Sequence, residues 1–328
     1  MKKTMYLVWT STISIVLTIF LVDYCLAQPQ LSSEEKVIFY TQEWDGERDQ
    51  YGRPLVSDDI IERMKHVLIE EAWSALREFG YPNQLETGWE ILHPDKVMVG
   101  RALTTAFLPR RSELDDRMIA MGREEGLAGG TNQWPMGMLV QGDVIVADHY
   151  GKPRDGAFYG DNLAQGIYSQ SGNGAIVYGQ ARDIVGVRGV EGFNTWVKAW
   201  HPSSSSERML VSINDIIRVG EATVLPGDVV LANEGGVIFI PPHLAETVLI
   251  RDELTRLVDG FRIERMDEGI YTSQQVYVSE WSDTVNEDFF SWLENNRTRL
   301  HEEYHTGYEV IDRLIETRDR NWQNWLDD

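Results

Sequence analysis

Asp161, Arg182 and Asp183 are the residues of this chain whose types and spacing could do chemistry, two carboxylates and a guanidinium in the pattern D-x20-R-D. Paired carboxylates offer the oxygen ligands that Mg²⁺ and Mn²⁺ prefer, and such ions keep several of their waters. A fixed guanidinium nearby can stabilise negative charge developing on an oxygen. Glycines surround the three residues, in Gly160-Asp161-Asn162-Leu163, in Gly172-Asn173-Gly174 and at Gly179. Glycine serves where backbone must come close to something. A purely structural role competes with this, with Arg182 and Asp183 paired to each other and Asp161 capping a helix. Taken singly, each acid favours that role.

Other routes to catalysis find little support. His93, His149, His201 and His243 are scattered, with no H-x-x-x-H or H-x-H pair to hold zinc. His149 and His201 read as solvated loop residues. No lysine falls within 160–187 to form a Schiff base, and no G-x-S-x-G elbow is present. Asn296-Arg297-Thr298 fits a glycosylation sequon, but its polar helical setting points to chance.

The elements that must position these residues follow from periodicity. Asp161 opens a helix-like segment that ends at the 171–174 turn. The apolar run Ala175–Tyr178 then reads as a buried strand delivering Arg182-Asp183 at its end. Upstream, Val97–Phe107 and Val144–Ala147 read as strands and Leu114–Glu125 as a helix. Apolar residues from Ile60 to Phe79 recur at three- and four-residue steps and predict one helix, capped by Ser57 or Asp58 and stopped by Gly80 and Pro82. Downstream, Gly227-Asp228 turns into the strand Val229–Ala232, and Val237–Ile240 follows as another. This is a weak internal echo of Gln141-Gly142-Asp143 and its strand. Asp228 is expected to close its turn on backbone amides. A helix from Leu244 and an acidic helical tail rich in Trp complete the chain.

These motifs resemble the RraA-like family, which includes 4-hydroxy-4-methyl-2-oxoglutarate aldolases and non-catalytic regulators of ribonuclease activity. The resemblance rests on Gly160, Leu163, Val177, Gly179, Arg182 and Asp183, on Gln141-Gly142-Asp143, and on Pro226-Gly227-Asp228 followed by Gly236-Val237 and Ile240-Pro241. Tyr178 departs from it, since many members carry Asp there. The resemblance implies an α/β swivelling β/β/α domain over 95–265. An arm and helix over 28–94 and a helical extension over 266–328 would be additions to it.

The resemblance also implies a site. In the aldolase members the acid matching Asp183 binds Mg²⁺ or Mn²⁺, and the acid matching Asp161 holds a water of that ion. The arginine matching Arg182 contacts the pyruvyl oxygen. Backbone amides matching Gly160, Asp161, Asn162 and Leu163 hold the substrate carboxylate. The leading acid, typically missing from the ribonuclease regulators, shifts the balance towards a site. The expected function is metal-dependent aldolase cleavage of a 4-hydroxy-2-oxo acid to pyruvate, with oxaloacetate decarboxylation through the same enolate. The alternative is a non-catalytic oligomeric binding or regulatory protein. Members form trimers, or dimers of trimers, in which a neighbouring subunit adds an acid. Glu253, Asp259 and Glu264 are the positional candidates for it.

Lys2 and Lys3, the apolar stretch Met5–Val22 and the small residues around Ala27 read as a signal peptide over 1–27, with an uncleaved anchor as the rival. The chain is thus expected to be exported, periplasmic or secreted, without stable membrane insertion after cleavage. Its one cysteine, Cys25, would leave with that peptide, removing disulfides and thiolate chemistry. A net charge of −22 over 328 residues argues against nucleic acid and anionic lipid as partners. Within the arm, Arg48 and Arg53 could meet a carboxylated substrate, although exposed charge is the plainer expectation.

Overall fold

The computed structural model describes residues 30–325. The expected signal peptide lies outside the described residues. Within them no helix is long and apolar enough to cross a membrane.

Eleven strands are formed by the described residues, in chain order β1 (Leu85–Glu86), β2 (Glu90–Ile91), β3 (Met98–Pro109), β4 (Asp143–Asp148), β5 (Ala175–Ala181), β6 (Thr195–Trp200), β7 (Arg208–Ile213), β8 (Ile217–Val219), β9 (Ala222–Val224), β10 (Val229–Asn233) and β11 (Gly236–Ile240). Nine make one mixed sheet in the order β1-β11-β10-β3-β4-β5-β6-β2, with β7 also on β3, while β8 and β9 pair as a hairpin. Strands β3 to β6 run parallel, and β10, β11, β1, β2 and β7 join them antiparallel.

The apolar runs are continuous because both faces of the sheet are covered. Along β10, Val229 and Leu231 face one core with Ile238 and Ile240 of β11. Val230 and Ala232 face the opposite core with Val144, Ile176 and Trp196. The first core is closed by the helices Asp58–Met64, Ile69–Glu78 and Ala245–Asp267. That last helix then runs on into a third core. There Leu257 and Phe261 pack with Phe289, Trp292, Leu293 and Leu300 of the helix Asp283–Tyr304 and with Ile311 and Leu314 of the helix Tyr308–Thr317. Trp281, Phe289, Phe290, Trp292 and Trp325 of the tail are therefore packed inside this chain.

The expected single helix over 58–79 is two. Ser57 caps the first through its hydroxyl, as expected. The break comes after Met64, and the Leu68 N–H is taken by the Asp252 carboxylate at 2.9 Å. A partner far along the chain thus overrides a periodicity that runs through the break. The arm is ordered, but its arginines are structural rather than exposed. Arg53 is buried and ion-paired with Asp49 at 2.7 Å and Asp143 at 2.9 Å. Arg48 donates to the carbonyl oxygens of Thr41, Trp44 and Gly52.

Asp228 does close its turn, accepting from the Leu225 N–H at 2.8 Å. Burial pushes this carboxyl up to about 8, against the opposing pull of that N–H. The folded chain therefore holds the proton more tightly than the unfolded chain. The group's contribution to stability is complete below the ordinary carboxylate value of about 4 and is lost as pH rises through about 8. In urea unfolding, the stability of Asp228→Asn relative to the parent is expected to improve steadily from pH 5 to pH 8. Parallel pH profiles for the two proteins would refute it.

Candidate functional site

Strand β5 is buried along its length apart from Tyr178, and it ends at Ala181, so Arg182 and Asp183 emerge at its carboxyl end. Asp161 begins the helix Asp161–Ser171, which crosses from parallel strand β4 to parallel strand β5. All three residues lie beyond the carboxyl ends of parallel strands, where ligands of open α/β sheets bind. The segment between β4 and this helix is tied down next to them. Phe158 N–H donates to the Gln180 carbonyl at 2.9 Å, and Arg182 N–H to the Tyr159 carbonyl at 3.1 Å. Tyr159 is itself anchored, its hydroxyl donating to Thr195 Oγ1 at 2.6 Å.

Two glycines let the groups converge. A Cβ on Gly160 would sit 2.3 Å from Asp183 Oδ2 and 3.2 Å from Arg182 Nε. A Cβ on Gly186 would sit 2.7 Å from Asp161 Oδ2. The backbone at Gly160 thus cradles Asp183 and Arg182, while Gly186 supports Asp161 from the next turn. Gly186 escaped the spacing argument, and its one signal was a glycine three residues after Asp183.

Asp183 is held at φ 60°, in the left-handed region, a conformation that costs a non-glycine residue about 1–2 kcal/mol. Left-handed outliers of this kind concentrate at functional sites. Its side chain caps nothing and turns to Arg182 instead, with Arg182 Nε 3.2 Å from Asp183 Oδ2. Both side chains are 43% exposed, so the pair is weak and open to exchange for a ligand. Asp161 accepts from the Asn162 N–H at 2.8 Å, which occupies one amide of the helix start. Gly160 is the N-cap, Asn162 is exposed on the first turn and Leu163 is half-buried.

The donor set suits a hard divalent ion that keeps much of its water. Among the described residues no three His, Cys, Asp or Glu side chains cluster to cage a metal. Carboxylates at 161 and 183 are oxygen donors of the kind that Mg²⁺ accepts.

The histidines are not what their loop positions implied. His149 is fully buried between Phe107 and Phe158. Burial holds its imidazole well below the usual value, and the Arg208 guanidinium pushes the same way. His201 folds back onto Ser203, its Nδ1 2.8 Å from Ser203 Oγ. Glu253 and Glu264 are committed within the chain, to Arg63 and to Arg299, whereas Asp259 is more exposed beside Arg262.

A family model described as RraA-like, Aldolase/RraA, matches residues 56–239. The chain belongs to the RraA-like family. The match begins at the helix pair before β1 and ends within β11. Proteins from Pseudomonas paraeruginosa and Hahella chejuensis, both provisionally named 4-hydroxy-4-methyl-2-oxoglutarate aldolases, are 32% and 34% identical over 104 and 108 residues. Those alignments cover 32% of this chain, and they span 63% and 62% of the two relatives' lengths. Among solved structures, an uncharacterized protein from Pseudomonas syringae is 19% identical with a TM-score of 0.55, covering 69% of this chain and 100% of that one. Streptomyces coelicolor RraAS2, described as an unusual member of the RNase ES inhibitor RraA protein family, is 24% identical with a TM-score of 0.51, covering 65% and 97%. These two likenesses establish the RraA-like fold, a mixed α/β sheet here extended by C-terminal helices.

Proposed function

We propose that this chain is a divalent-metal-dependent lyase that cleaves a 4-hydroxy-2-oxo acid to pyruvate and a second carbonyl compound, and that it also decarboxylates oxaloacetate. The observation that carries the reading is the convergence of Asp161, Arg182 and Asp183 on Gly160 and Gly186 beyond the ends of β4 and β5. In the cleavage the 4-hydroxyl loses its proton, the C3–C4 bond breaks, and its electrons pass into the 2-oxo group as an enolate. Protonation at C3 then yields pyruvate. Arg182 supplies a fixed cation at the developing enolate oxygen. The helix start at Gly160–Leu163, apart from the Asn162 N–H that Asp161 holds, offers backbone N–H groups to the substrate carboxylate. Asp183 and Asp161 would hold Mg²⁺ or Mn²⁺, which when bound polarises the 2-oxo group as a Lewis acid.

The purified protein is expected to release pyruvate from 4-hydroxy-2-oxo acids and from oxaloacetate, with activity lost to a chelator and restored by Mg²⁺ or Mn²⁺. The absence of pyruvate from every acid tried would favour a second reading, a non-catalytic binding protein built on the same crevice. That reading draws on the Arg182–Asp183 ion pair and on the missing three-ligand cluster among the described residues.

The site also fits assembly into a trimer. The trimer is what the family resemblance implies, and Val185, two residues beyond Asp183 and 79% exposed, is a position at which to test it. Light scattering at micromolar concentration is expected to give a trimer or a multiple of it, and Val185→Lys to shift it towards monomer. A parent protein that is monomeric throughout would refute this arrangement.

A further inference from the structure

Arg208 opens β7 opposite Pro109, the last residue of β3. It is 5% exposed, and its guanidinium carbon stands 4.3 Å from the centre of the Phe107 ring. Nη2 donates to the Ala157 carbonyl at 3.3 Å, and Nε is buried with no hydrogen-bond partner. Arginine is rarely buried to this degree without a paired acid. No carboxylate forms an ion pair with Arg208 among the described residues.

Arg208 lines a cavity of about 340 Å³. Two further arginines line it, Arg110 just beyond β3 and Arg123 in the last turn of the helix Ser112–Glu124. Asp115 is the one carboxylate of the lining, and Arg110 Nε holds its Oδ2 at 2.8 Å. Arg123, like Arg208, has no ion pair among the described residues. Three guanidinium groups thus share the cavity with a single acid, in a chain whose net charge is −22. Asp161, Arg182 and Asp183 take no part in this lining.

We infer that this cavity is a second ligand site, which takes a small organic dicarboxylate. Arg110 and Arg123 are exposed, so their guanidinium forks are open to a ligand, and such forks match a carboxylate with two parallel hydrogen bonds. Arg208 adds a fixed positive charge from the buried side, where salt screens it least. Two cations in excess of the one acid call for a dianion. The cavity volume falls in the range of small-molecule sites, about 300–1,000 Å³, and exceeds what a single inorganic oxyanion fills. Ile119 and Trp134 in the lining give apolar surface for the carbons between the two carboxylates.

The arginines stay charged throughout the neutral range. Burial draws Arg208 down to about 10, against the pull of Tyr150 and Asp115. A bound anion would favour its charged form and raise it again.

The test is calorimetric titration of the metal-free full chain with glutarate, with glutaramide as the uncharged isostere. One glutarate is expected to bind per chain, about tenfold or more tightly than glutaramide. Arg123→Gln, a change at an exposed residue without an ion pair, is expected to weaken glutarate about tenfold, and Arg208→Gln to do the same. Arg182→Ala, in the other crevice, should leave glutarate affinity unchanged. Absence of binding, equal affinity for glutaramide, or unchanged affinity in Arg123→Gln overturns the inference. Were Arg208→Gln not to fold, Arg123→Gln alone would decide. Loss of glutarate binding in Arg182→Ala would place the ligand in the other crevice and overturn it equally. Sulfate bound as tightly as glutarate would overturn the dicarboxylate assignment. Failure of the chain to form pyruvate does not bear on any of these outcomes.

Discussion

Arg182→Ala is expected to lower the rate of pyruvate formation by about 10²–10³, because one preorganised donor at a developing oxyanion is worth about 3–4 kcal/mol of barrier. The guanidinium stands at the carboxyl end of β5, its backbone N–H fixed on Tyr159 and its Nε beside Asp183. Little reorganisation is then needed when charge appears. Both groups are 43% exposed, so their mutual ion pair contributes about 0–1 kcal/mol, and the fold should survive the loss. The effect should therefore fall on kcat with the melting temperature unchanged. Asp183→Ala separates the readings further, since it should abolish the calorimetric signal of Mg²⁺ or Mn²⁺ binding as well as activity. Were the two residues only a structural pair, both variants would melt slightly lower and neither would alter metal affinity. Unchanged Mg²⁺ binding in Asp183→Ala would refute the metal assignment even in an active enzyme.

The juxtaposition of Asp161, Arg182 and Asp183 was legible in the sequence because the pieces of this candidate site are local. Asp161, Arg182 and Asp183 fall within one crossover unit, and a glycine-bordered strand ending in Arg-Asp announces itself by composition. What the sequence did not disclose was contact across the chain. Gly186 supports Asp161, but nothing in the spacing distinguishes it from a glycine that merely ends a turn. His149 looked solvated because its loop is polar, yet Phe107 lies on a strand about forty residues upstream and Phe158 closes over the other side.

The fold divides along the same line. β3, β4, β5, β10 and β11 were readable from apolar runs, because a sheet covered on both faces needs little else. β7, β8 and β9 mix charged, polar and apolar residues in short pieces, and only their pairing defines them. The helix break after Met64 and the burial of Arg53 each depend on a distant carboxylate, Asp252 in one case and Asp143 in the other. Periodicity reports which face is apolar. It carries no information about which remote acid will take an amide or a guanidinium.

Arg63→Ala should cost about 3–5 kcal/mol of stability, the typical penalty for leaving a buried charge without its partner. Arg63 grips Glu253 with two donors, Nε to Oε1 at 2.9 Å and Nη2 to Oε2 at 2.7 Å. Glu253 is 0% exposed, and its remaining donor is the Gly307 N–H at 3.2 Å. One arginine thus ties the helix Asp58–Met64, inside the family match, to the helix Ala245–Asp267 beyond it and to the start of the helix Tyr308–Thr317. Its further contact with Glu309, at 2.6 Å, is more exposed and contributes less. The cost of the single change arises from the stranded carboxylate more than from lost attraction. Arg63→Met with Glu253→Leu should therefore recover most of it, since apolar replacement of a buried pair is often neutral. Urea unfolding of the parent, both single variants and the double variant gives the comparison. A loss below about 1 kcal/mol for Arg63→Ala would mean that the pair behaves as a surface ion pair. A double variant no better than the single would mean that the bridge itself, and not its stranded charge, joins the tail to the core.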